Sequence, residues 1–434
     1  MNIELLDGSP YQAYLYAYPH KTAYRPIEPA IPLSEVWADE RRDALYLYVH
    51  VPFCEMRCGF CNLFTESRPA EDTTRRWLAT LERQARSVRE ALPDARFARF
   101  ALGGGTPTIL GERELAAVLD VATSTMGADL EHIPCSVEVS PETVTREKLA
   151  HLRARGVDRI SIGVQSFLDA ESRAAGRPQS RAKVDTALDA IRTHGFPTLN
   201  IDLIYGLAGQ TEETWLESLR AALRFSPEEL YLYPLYVRPL TGLGRSARSW
   251  DDQRLSLYRT ARAFLASEGF EQVSMRMFRA PWSKAESGPV YCVQDDGMVG
   301  LGVGARSYTR ALHWATEYAV SPRAVEGVIA RWIESDAFDH VTHGFALDGD
   351  EQRRRWIALT LLGDGADGNA YRARFGAPLF DDFPALHALV ERHLARIAGD
   401  RLVLTDAGVE RSDAIGPFLI SPAVRARMDA HELR

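Results

Sequence analysis

The sequence predicts an α/β protein whose core is a partial (β/α)6 barrel of the TIM type. Short apolar runs alternate with amphipathic stretches in which apolar residues recur three or four positions apart. The strand–helix units repeat about every 30–40 residues, as parallel strands with helical crossovers require. Six units are too few for the complete eightfold barrel, so we expect an open one.

The core elements follow one another in a regular order. The predicted strands are 45–51, 97–102, 136–139, 159–164, 199–204 and 230–235. The predicted helices lie near 73–92, 112–125, 142–155, 181–195 and 211–225. In a parallel barrel the functional side chains gather at the C-terminal ends of the strands, so the residues after each strand are the first candidates for a site.

Two regions flank this core. Residues 1–40 are rich in tyrosine and proline and too irregular for a helix or a sheet, which predicts an extended arm over the main body. We place the core and its extension at 41–310 and a small helical domain at 311–434. The latter contains a charged helix near 348–362 and a winged-helix-like hairpin that ends at 402–408.

Composition excludes several classes of function. The chain of 434 residues has 46% hydrophobic and 25% charged residues, as ordinary globular proteins do, and a net charge of −8. Nucleic acid is therefore not an expected partner, and the segment 411–434 is not basic enough for a DNA-binding winged helix. No apolar run approaches the roughly 18 residues of a membrane span, and the N-terminus does not resemble a signal peptide. We expect a cytoplasmic protein.

Three of the five cysteines, Cys54, Cys58 and Cys61, follow the first predicted strand within eight residues. Three thiolates on one loop can turn toward one soft metal centre. Zinc would need a fourth ligand nearby, whereas a four-iron cluster on three thiolates leaves one iron open for a small molecule. A zinc loop and three buried structural cysteines remain alternatives. Cys135 and Cys292 are expected to be buried as small apolar residues.

The spacing CxxxCxxC, with an aromatic residue before the third cysteine, resembles the signature of radical S-adenosylmethionine (SAM) enzymes. The wider string Tyr48-x-His50-x-Pro-Phe-Cys54 is similar to that of the oxygen-independent coproporphyrinogen III oxidases and their relatives, the HemN-like branch. This branch also contains heme chaperones and methyltransferases. The resemblance runs from about residue 45 to about residue 310, with a weaker echo toward the C-terminus. It implies a [4Fe-4S] cluster on the three cysteines, at which SAM is split into methionine and a 5′-deoxyadenosyl radical.

Motifs at later strand ends match the family in the same order. The resemblance implies that Gly104, Gly105 and Thr106 hold the amino group of SAM, and that Glu138 contacts its methionyl or ribose part. From the residues alone, a carboxylate inside an apolar strand is costly unless it is paired, so a structural salt bridge is the alternative for Glu138.

The remaining implied residues belong to the later strands. Gln165 and Arg177 match a pair that the family uses at its SAM sites, and Asp202 matches an acceptor for a ribose hydroxyl. Pro234 lies in a strand that offers its backbone to adenine, and the motif 300–307, which includes Arg306, matches one that closes over adenine. The positions shared with members that hold two SAM molecules are Tyr48, Phe60, Gln165, Arg177 and Asp202. We therefore expect one or two SAM molecules, with Tyr48 and Arg306 as candidate catalytic residues.

The chain also departs from the family pattern. Leu63 stands where the coproporphyrinogen oxidases have a fourth cysteine, and Asn62 and Arg306 replace an acidic residue and a histidine of the heme chaperones. Arg276 and Arg279, next to two methionines near the barrel mouth, are interpreted either as ligands of an anionic substrate or as part of a solvated turn.

The expected function is that of a radical SAM enzyme. It would abstract hydrogen from an unidentified small molecule, or transfer a methyl or alkyl group to it, with electrons from a donor of the flavodoxin or ferredoxin type. A tetrapyrrole-like compound or a natural-product intermediate is the expected substrate class. The alternatives are an oxygen-independent coproporphyrinogen III dehydrogenase and a non-catalytic heme-binding or trafficking protein.

Overall fold

The computed structural model describes residues 1–245, 252–284 and 292–432. The strands are β1 (Arg25–Pro32), β2 (Leu45–Val51), β3 (Phe53–Cys54), β4 (Glu66–Ser67), β5 (Phe97–Gly104), β6 (Cys135–Val139), β7 (Arg159–Gln165), β8 (Thr198–Tyr205), β9 (Glu229–Pro234), β10 (Glu271–Gln272), β11 (Met277–Arg279), β12 (Met298–Leu301), β13 (Arg306–Tyr308), β14 (Leu312–Ala315), β15 (His340–Ala346), β16 (Ala366–Asp367), β17 (Ala395–Ala398) and β18 (Arg401–Leu404). The helices are α1 (Glu4–Asp7), α2 (Leu33–Val36), α3 (Glu71–Ala91), α4 (Glu112–Asp120), α5 (Arg146–Ala154), α6 (Asp169–Ala174), α7 (Arg181–Thr193), α8 (Glu212–Leu223), α9 (Arg254–Ser267), α10 (Val293–Asp296), α11 (Pro322–Ile333), α12 (Gly349–Leu361), α13 (Gly368–Phe375), α14 (Leu379–Asp382), α15 (His387–Glu391), α16 (Asp406–Val409), α17 (Ser412–Leu419) and α18 (Pro422–Asp429).

Thirteen strands form one mixed sheet in the order β1-β15-β14-β13-β12-β2-β5-β6-β7-β8-β9-β11-β10. The seven strands from β12 to β9 are parallel and make up the barrel wall. The end strands β1 and β10 do not pair with each other among the described residues, so the barrel is open. The six predicted core strands and the α/β class are confirmed.

Buried and more exposed side chains alternate along the strands, and the more exposed ones line the inner space of the barrel, which we call the lumen. In β2 the residues Leu45, Leu47 and Val49 are fully buried, whereas Tyr46 and Tyr48 between them are half-exposed. In β6 the exposed Glu138 lies between buried valines. The apolar rows pack under the surrounding helices, so the polar rows of the wall face the lumen.

The predicted helices are also present, with small shifts in their ends. The helix expected at 142–155 begins at Arg146, because Thr145 caps it by accepting a hydrogen bond from the Lys148 amide at 3.3 Å. The helix expected at 112–125 is α4, whose last turn continues as a π-helical segment over 121–125. None of the helices of the described residues is both long and apolar enough to cross a bilayer.

The flanks differ from expectation. The arm is not irregular throughout, because its β1 pairs antiparallel with β15 at the edge of the sheet. The sheet itself passes the boundary expected at residue 310, since β13, β14 and β15 extend it. The strand β12, parallel to β2, was not predicted because glycines interrupt its short apolar run.

The C-terminal region has its own apolar core, to which the arm contributes. Residues between Leu6 and Tyr24 pack in one buried cluster with residues between Phe345 and Val424. The strands β16, β18 and β17 form a small sheet after the charged helix α12, as the winged-helix-like prediction requires. The arm therefore ties the C-terminal region to the barrel.

A buried ion pair reinforces this connection. Arg276, just before β11, binds Asp413 in α17, and the two residues are only 5% and 1% exposed. The Asp413 carboxylate also accepts the hydroxyl of Tyr236, and its carbonyl accepts the Ala13 amide at 3.0 Å. Arg276 is thus neither part of a solvated turn nor a free cation for a substrate anion.

We expect Asp413→Ala to destabilise the protein by about 3–5 kcal/mol, because it leaves the Arg276 guanidinium buried without a counter-ion. Urea unfolding followed by circular dichroism measures this as a lower midpoint. Asp336→Ala is the matched control, since its ion pair with Arg83 is on the surface and should contribute little. Equal midpoints for the two variants would contradict the assignment of Asp413 as a stabilising contact.

Candidate active site

The cysteine loop is fastened directly to the glycine motif at the end of β5. The Gly105 amide donates to the Val51 carbonyl and the Thr106 amide to the Phe53 carbonyl, both at 2.7 Å. A Cβ at Gly105 would lie 2.4 Å from the Phe53 oxygen and 2.9 Å from the Cys54 sulfur. Only glycine therefore permits this approach between the two loops.

The other half of the loop is held from the opposite side. The Cys61 amide closes a turn on the Cys58 carbonyl at 3.0 Å. The Gly59 amide donates to the Ala175 carbonyl, and the Gly59 carbonyl accepts the Leu243 amide. Phe60 packs against an apolar cluster that contains Ala175 and Leu243. The loop is thus held on both sides.

The three thiols have few polar contacts of their own. Burial raises the pKa of the Cys54 thiol to about 12 and also raises that of Cys61. Thr106 Oγ1 lies 3.6 Å from the Cys54 sulfur. Among the described residues no three Cys, His, Asp or Glu side chains are gathered closely enough to hold one metal ion. Three cysteines on one loop could hold a four-iron cluster with one iron open, whereas a structural zinc ion would need a fourth protein ligand.

Arg177 lies against this loop. Its Nη1 donates to the Cys58 sulfur at 3.1 Å and its Nη2 to the Gly163 carbonyl at 2.8 Å. Its Nε donates to the Gln179 side chain at 3.0 Å, and Ser140 Oγ lies 3.4 Å from Nη2. The guanidinium is therefore engaged with the cysteine loop and the β7 end. Gln165, also at that end, has a left-handed φ of 70°.

Glu138 and the glycine motif meet in the lumen. Glu138 Oε2 accepts the Gly104 amide at 3.0 Å, and enclosure by the barrel raises the pKa of this carboxyl to about 7, although water reaches it from the lumen. No salt bridge to Glu138 forms among the described residues, which excludes the structural ion pair considered above.

Tyr48, on β2, is oriented by a histidine. Its hydroxyl is 3.2 Å from His50 Nδ1, and His50 Nε2 is 3.2 Å from the Phe64 carbonyl. Because burial lowers the pKa of His50 to about 4, the ring is neutral. It donates through Nε2 and accepts from Tyr48 through Nδ1, so His50 is a positioning residue.

Asp202 faces the lumen from β8. Its carboxylate accepts the Asn200 amide at 2.7 Å, and burial raises the pKa of the carboxyl to about 6. The stacked rings of Tyr231 and Tyr233 follow on β9, with centroids 6.0 Å apart, and Pro234 ends that strand opposite Tyr205. Acceptors, aromatic faces and a strand-end backbone thus line this wall.

The late glycine motif lies on the other side of β2. Three of its amides, from Gly300, Gly302 and Gly304, donate to protein side chains at 2.7–3.0 Å. The side chain of Arg306 points to the arm, with its guanidinium carbon 4.6 Å from the centre of the Tyr16 ring.

Sequence reasoning predicted an arm over the main body but not the individual contacts of Tyr14, Tyr16 and Lys21, because their partners lie more than 250 positions away along the chain. Cys135 is buried as expected. Cys292 is not, since it is half-exposed at the start of α10.

Comparisons with known proteins agree with this geometry. Residues 48–222 match the Radical SAM superfamily. An oxygen-independent coproporphyrinogen III oxidase of Cereibacter sphaeroides is 31% identical over 337 residues, which cover 73% of each chain. The chain belongs to this HemN-like family of radical SAM proteins. The heme chaperone HemW of Bacillus subtilis is 26% identical and is matched over 86% of this chain and 98% of its own length.

The solved structure of coproporphyrinogen III oxidase (HemN) from Escherichia coli has the same fold. It superposes with a TM-score of 0.76 at 22% identity, over 94% of this chain and 99% of that one. The predictions of the superfamily, of the HemN-like branch and of a partial barrel are confirmed.

The two enclosed carboxyls predict a pH dependence of stability in the absence of SAM. The pKa values of Glu138 and Asp202, about 7 and about 6, are higher than in an unfolded chain. The folded protein therefore keeps protons that the unfolded chain has lost, and this stabilisation disappears as the pH rises through these values. We expect the Tm to fall between about pH 5 and pH 7, and the Glu138→Gln/Asp202→Asn variant to have a flatter profile.

Glu147→Gln is the control, because hydrogen bonds with its own amide and with Thr145 lower the pKa of Glu147. The Glu147 carboxylate makes the Tm rise with pH, and only at more acidic pH. Glu147→Gln should therefore leave the fall of the Tm between about pH 5 and pH 7 unchanged. An unchanged slope in the double variant would exclude the two lumen carboxyls as its source.

Proposed function

We propose that this chain is a radical SAM enzyme that holds a [4Fe-4S] cluster on Cys54, Cys58 and Cys61 and abstracts hydrogen from an organic small molecule. The pair of backbone hydrogen bonds that fastens the cysteine loop to the glycine motif carries the proposal. A ligand on the open iron would meet that motif and Glu138 at once. The bound cluster supplies the electron that divides SAM into methionine and a 5′-deoxyadenosyl radical.

The lumen residues would bind and orient SAM. The Glu138 carboxylate, fixed by the Gly104 amide, would accept a hydrogen bond from the amino group of SAM. Thr106 and Gly105 hold the methionyl end beside Cys54. Asp202 accepts a ribose hydroxyl, and the end of β9 at Pro234 offers its backbone to adenine.

A second SAM molecule would use Phe60, Gln165, Arg177 and Asp202, together with Tyr48. The contacts of Arg177 constrain this proposal, because its guanidinium donates to the Cys58 sulfur and to Gly163. A carboxylate of SAM could bind only at Nη2 if Nη1 is to keep its contact with the Cys58 sulfur. We therefore assign Arg177 first to the sulfur, where a charged donor makes the cluster easier to reduce.

The substrate would be a tetrapyrrole-type compound or a natural-product intermediate, modified by hydrogen abstraction or by methyl or alkyl transfer. Electrons would come from a donor of the flavodoxin or ferredoxin type in the cytoplasm. Leu63, which is 48% exposed on the cysteine loop, favours these reactions over the decarboxylation of coproporphyrinogen. The names of the relatives favour two other candidates, a coproporphyrinogen III dehydrogenase and a heme-binding protein.

Anaerobic assays separate these three candidates. Conversion of coproporphyrinogen III to protoporphyrinogen IX would establish the dehydrogenase despite Leu63. Stoichiometric heme binding without 5′-deoxyadenosine formation would establish the heme-binding protein. Formation of 5′-deoxyadenosine without either result supports the proposal.

We expect anaerobic reconstitution to load about four irons per chain. Cys54→Ala, Cys58→Ala and Cys61→Ala should each lose the cluster, because each removes one of three thiolate ligands. Iron analysis and the visible absorbance measure this, with Cys135→Ala as the control in the buried core. Zinc without iron in anaerobically prepared protein would contradict the proposal.

We expect Gly104→Ala to suppress the formation of 5′-deoxyadenosine from SAM and dithionite at least tenfold. Gly104 has a φ of 117°, and a Cβ there would lie 2.7 Å from the Val51 carbonyl oxygen and 2.8 Å from the His50 ring. The methyl group would thus displace the amide that fixes Glu138. Chromatography of the products measures the rate, and calorimetry measures how many SAM molecules bind.

Gly195→Ala is the matched control, since Gly195 also has a positive φ, of 64°, but nothing lies within 4 Å of its Cβ position. Wild-type rates in Gly104→Ala would refute the placement of SAM at this motif.

A further inference from the structure

Two cations on the arm side of the lumen lack an anionic partner. Arg306 Nη1 is enclosed without a hydrogen-bond partner, and its guanidinium lies over the Tyr16 ring. Lys21 Nζ lies 3.6 Å from the centre of the Tyr318 ring. Among the described residues, neither side chain forms an ion pair with an aspartate or a glutamate.

Other enclosed arginines of the fold do have acidic partners. Arg276 binds Asp413, and the Arg159 guanidinium is 2.7 Å from the Glu229 carboxylate. Arg355, which is 1% exposed, has Asp295 at 3.6 Å. Arg177 is an exception, but its guanidinium donates to the Cys58 sulfur, to Gly163 and to Gln179. Lys21 and Arg306 instead lie against aromatic rings, without an acidic partner among the described residues.

The charges of this region act on one another. Burial and the charge of Arg306 lower the pKa of Lys21. Burial lowers the pKa of His20 to about 3, and the charges of Lys21, Arg306 and Arg238 contribute to that shift. Cys61 acts in the opposite direction on the pKa of Lys21. Because no carboxylate among the described residues pairs with Lys21 or Arg306, a bound anion would recover part of the free energy that their burial costs.

The same residues lie next to the cysteine loop. The Tyr318 hydroxyl, below Lys21, donates to the Asn62 carbonyl at 2.9 Å, one residue after Cys61. Arg306 follows the late glycine motif, in which a Cβ at Gly304 would lie 3.2 Å from the His50 ring. A ligand held here would be close to both the loop and the proposed SAM site.

We propose that Lys21 and Arg306 form an oxyanion subsite that binds a carboxylate or phosphate group of the substrate, with the rings of Tyr16 and Tyr318 as its walls. The inference rests on the proposed function in one respect, namely that the bound molecule is the substrate. The anion would bridge the arm and β13, so the substrate itself would complete the closure of the lumen. Arg276 takes no part, because Asp413 already neutralises it.

Calorimetric titration of the full chain with inorganic phosphate and with benzoate, in separate experiments at constant ionic strength and without SAM, tests this subsite. We expect saturable binding to the wild type and about tenfold weaker binding to Lys21→Met and to Arg306→Met, since each removes one charged hydrogen bond. Lys21→Arg should restore most of the affinity. Arg113→Met, an exposed position of α4, should bind as the wild type does. The tighter of the two probes identifies the anion.

Absence of binding to the wild type, or equal affinities in the wild type and both methionine variants, would overturn the subsite. If the methionine variants fail to fold by circular dichroism, Lys21→Gln and Arg306→Gln decide instead: weaker binding by the folded variants supports the subsite, and wild-type affinity in both overturns it. The proposed function fails independently, by absence of 5′-deoxyadenosine in the wild type, which leaves anion binding unaffected.

Discussion

The close approach of the glycine motif to the cysteine loop is the constraint on which the rest of the site depends. Two neighbouring parallel strands, β2 and β5, end side by side. The amides of Gly105 and Thr106 donate to the carbonyls of Val51 and Phe53, just before the cysteine loop. Any side chain at Gly105 would strike Phe53 or Cys54. This contact fixes Cys54 beside the glycine motif, whose Gly104 amide donates to Glu138.

The opposite boundary of the lumen is built from distant parts of the chain. The arm brings Tyr14 over Arg276 and Tyr16 over Arg306, while Asp413 of α17 fixes Arg276 from the C-terminal region. The arm packs into the C-terminal apolar core as well. In the proposed function, the barrel wall would provide cofactor-binding groups, and the arm with the C-terminal region would provide the enclosure and the charge that a substrate would meet.

Much of this was readable from the sequence, and the reasons are local. The core strands are apolar runs of the right length, and the three cysteines lie within eight residues, so their spacing predicts a shared metal centre. The glycines at the end of β5 join this site because they follow the next predicted parallel strand. The family resemblance supplied the expected roles of Glu138, Gln165, Arg177 and Asp202, which spacing could not, and these roles stay predictions.

The missed features depend on long-range pairing. No local pattern connects Lys21 to Tyr318 or Arg276 to Asp413, and β12 is too short and too rich in glycine to be recognised as a strand. The contact of Arg177 with the Cys58 sulfur likewise joins residues 119 positions apart. These contacts appear only when the folded chain places its elements together.

Electron paramagnetic resonance of the dithionite-reduced, reconstituted wild type, recorded before and after addition of SAM, tests the central claim most directly. If three thiolates leave one iron open beside Gly104 and Glu138, SAM coordinates that iron. The spectrum of the reduced cluster must then change, and electron–nuclear double resonance should detect a ¹⁵N coupling when the amino nitrogen of SAM carries that isotope. A cluster spectrum that SAM leaves unaltered would contradict the account.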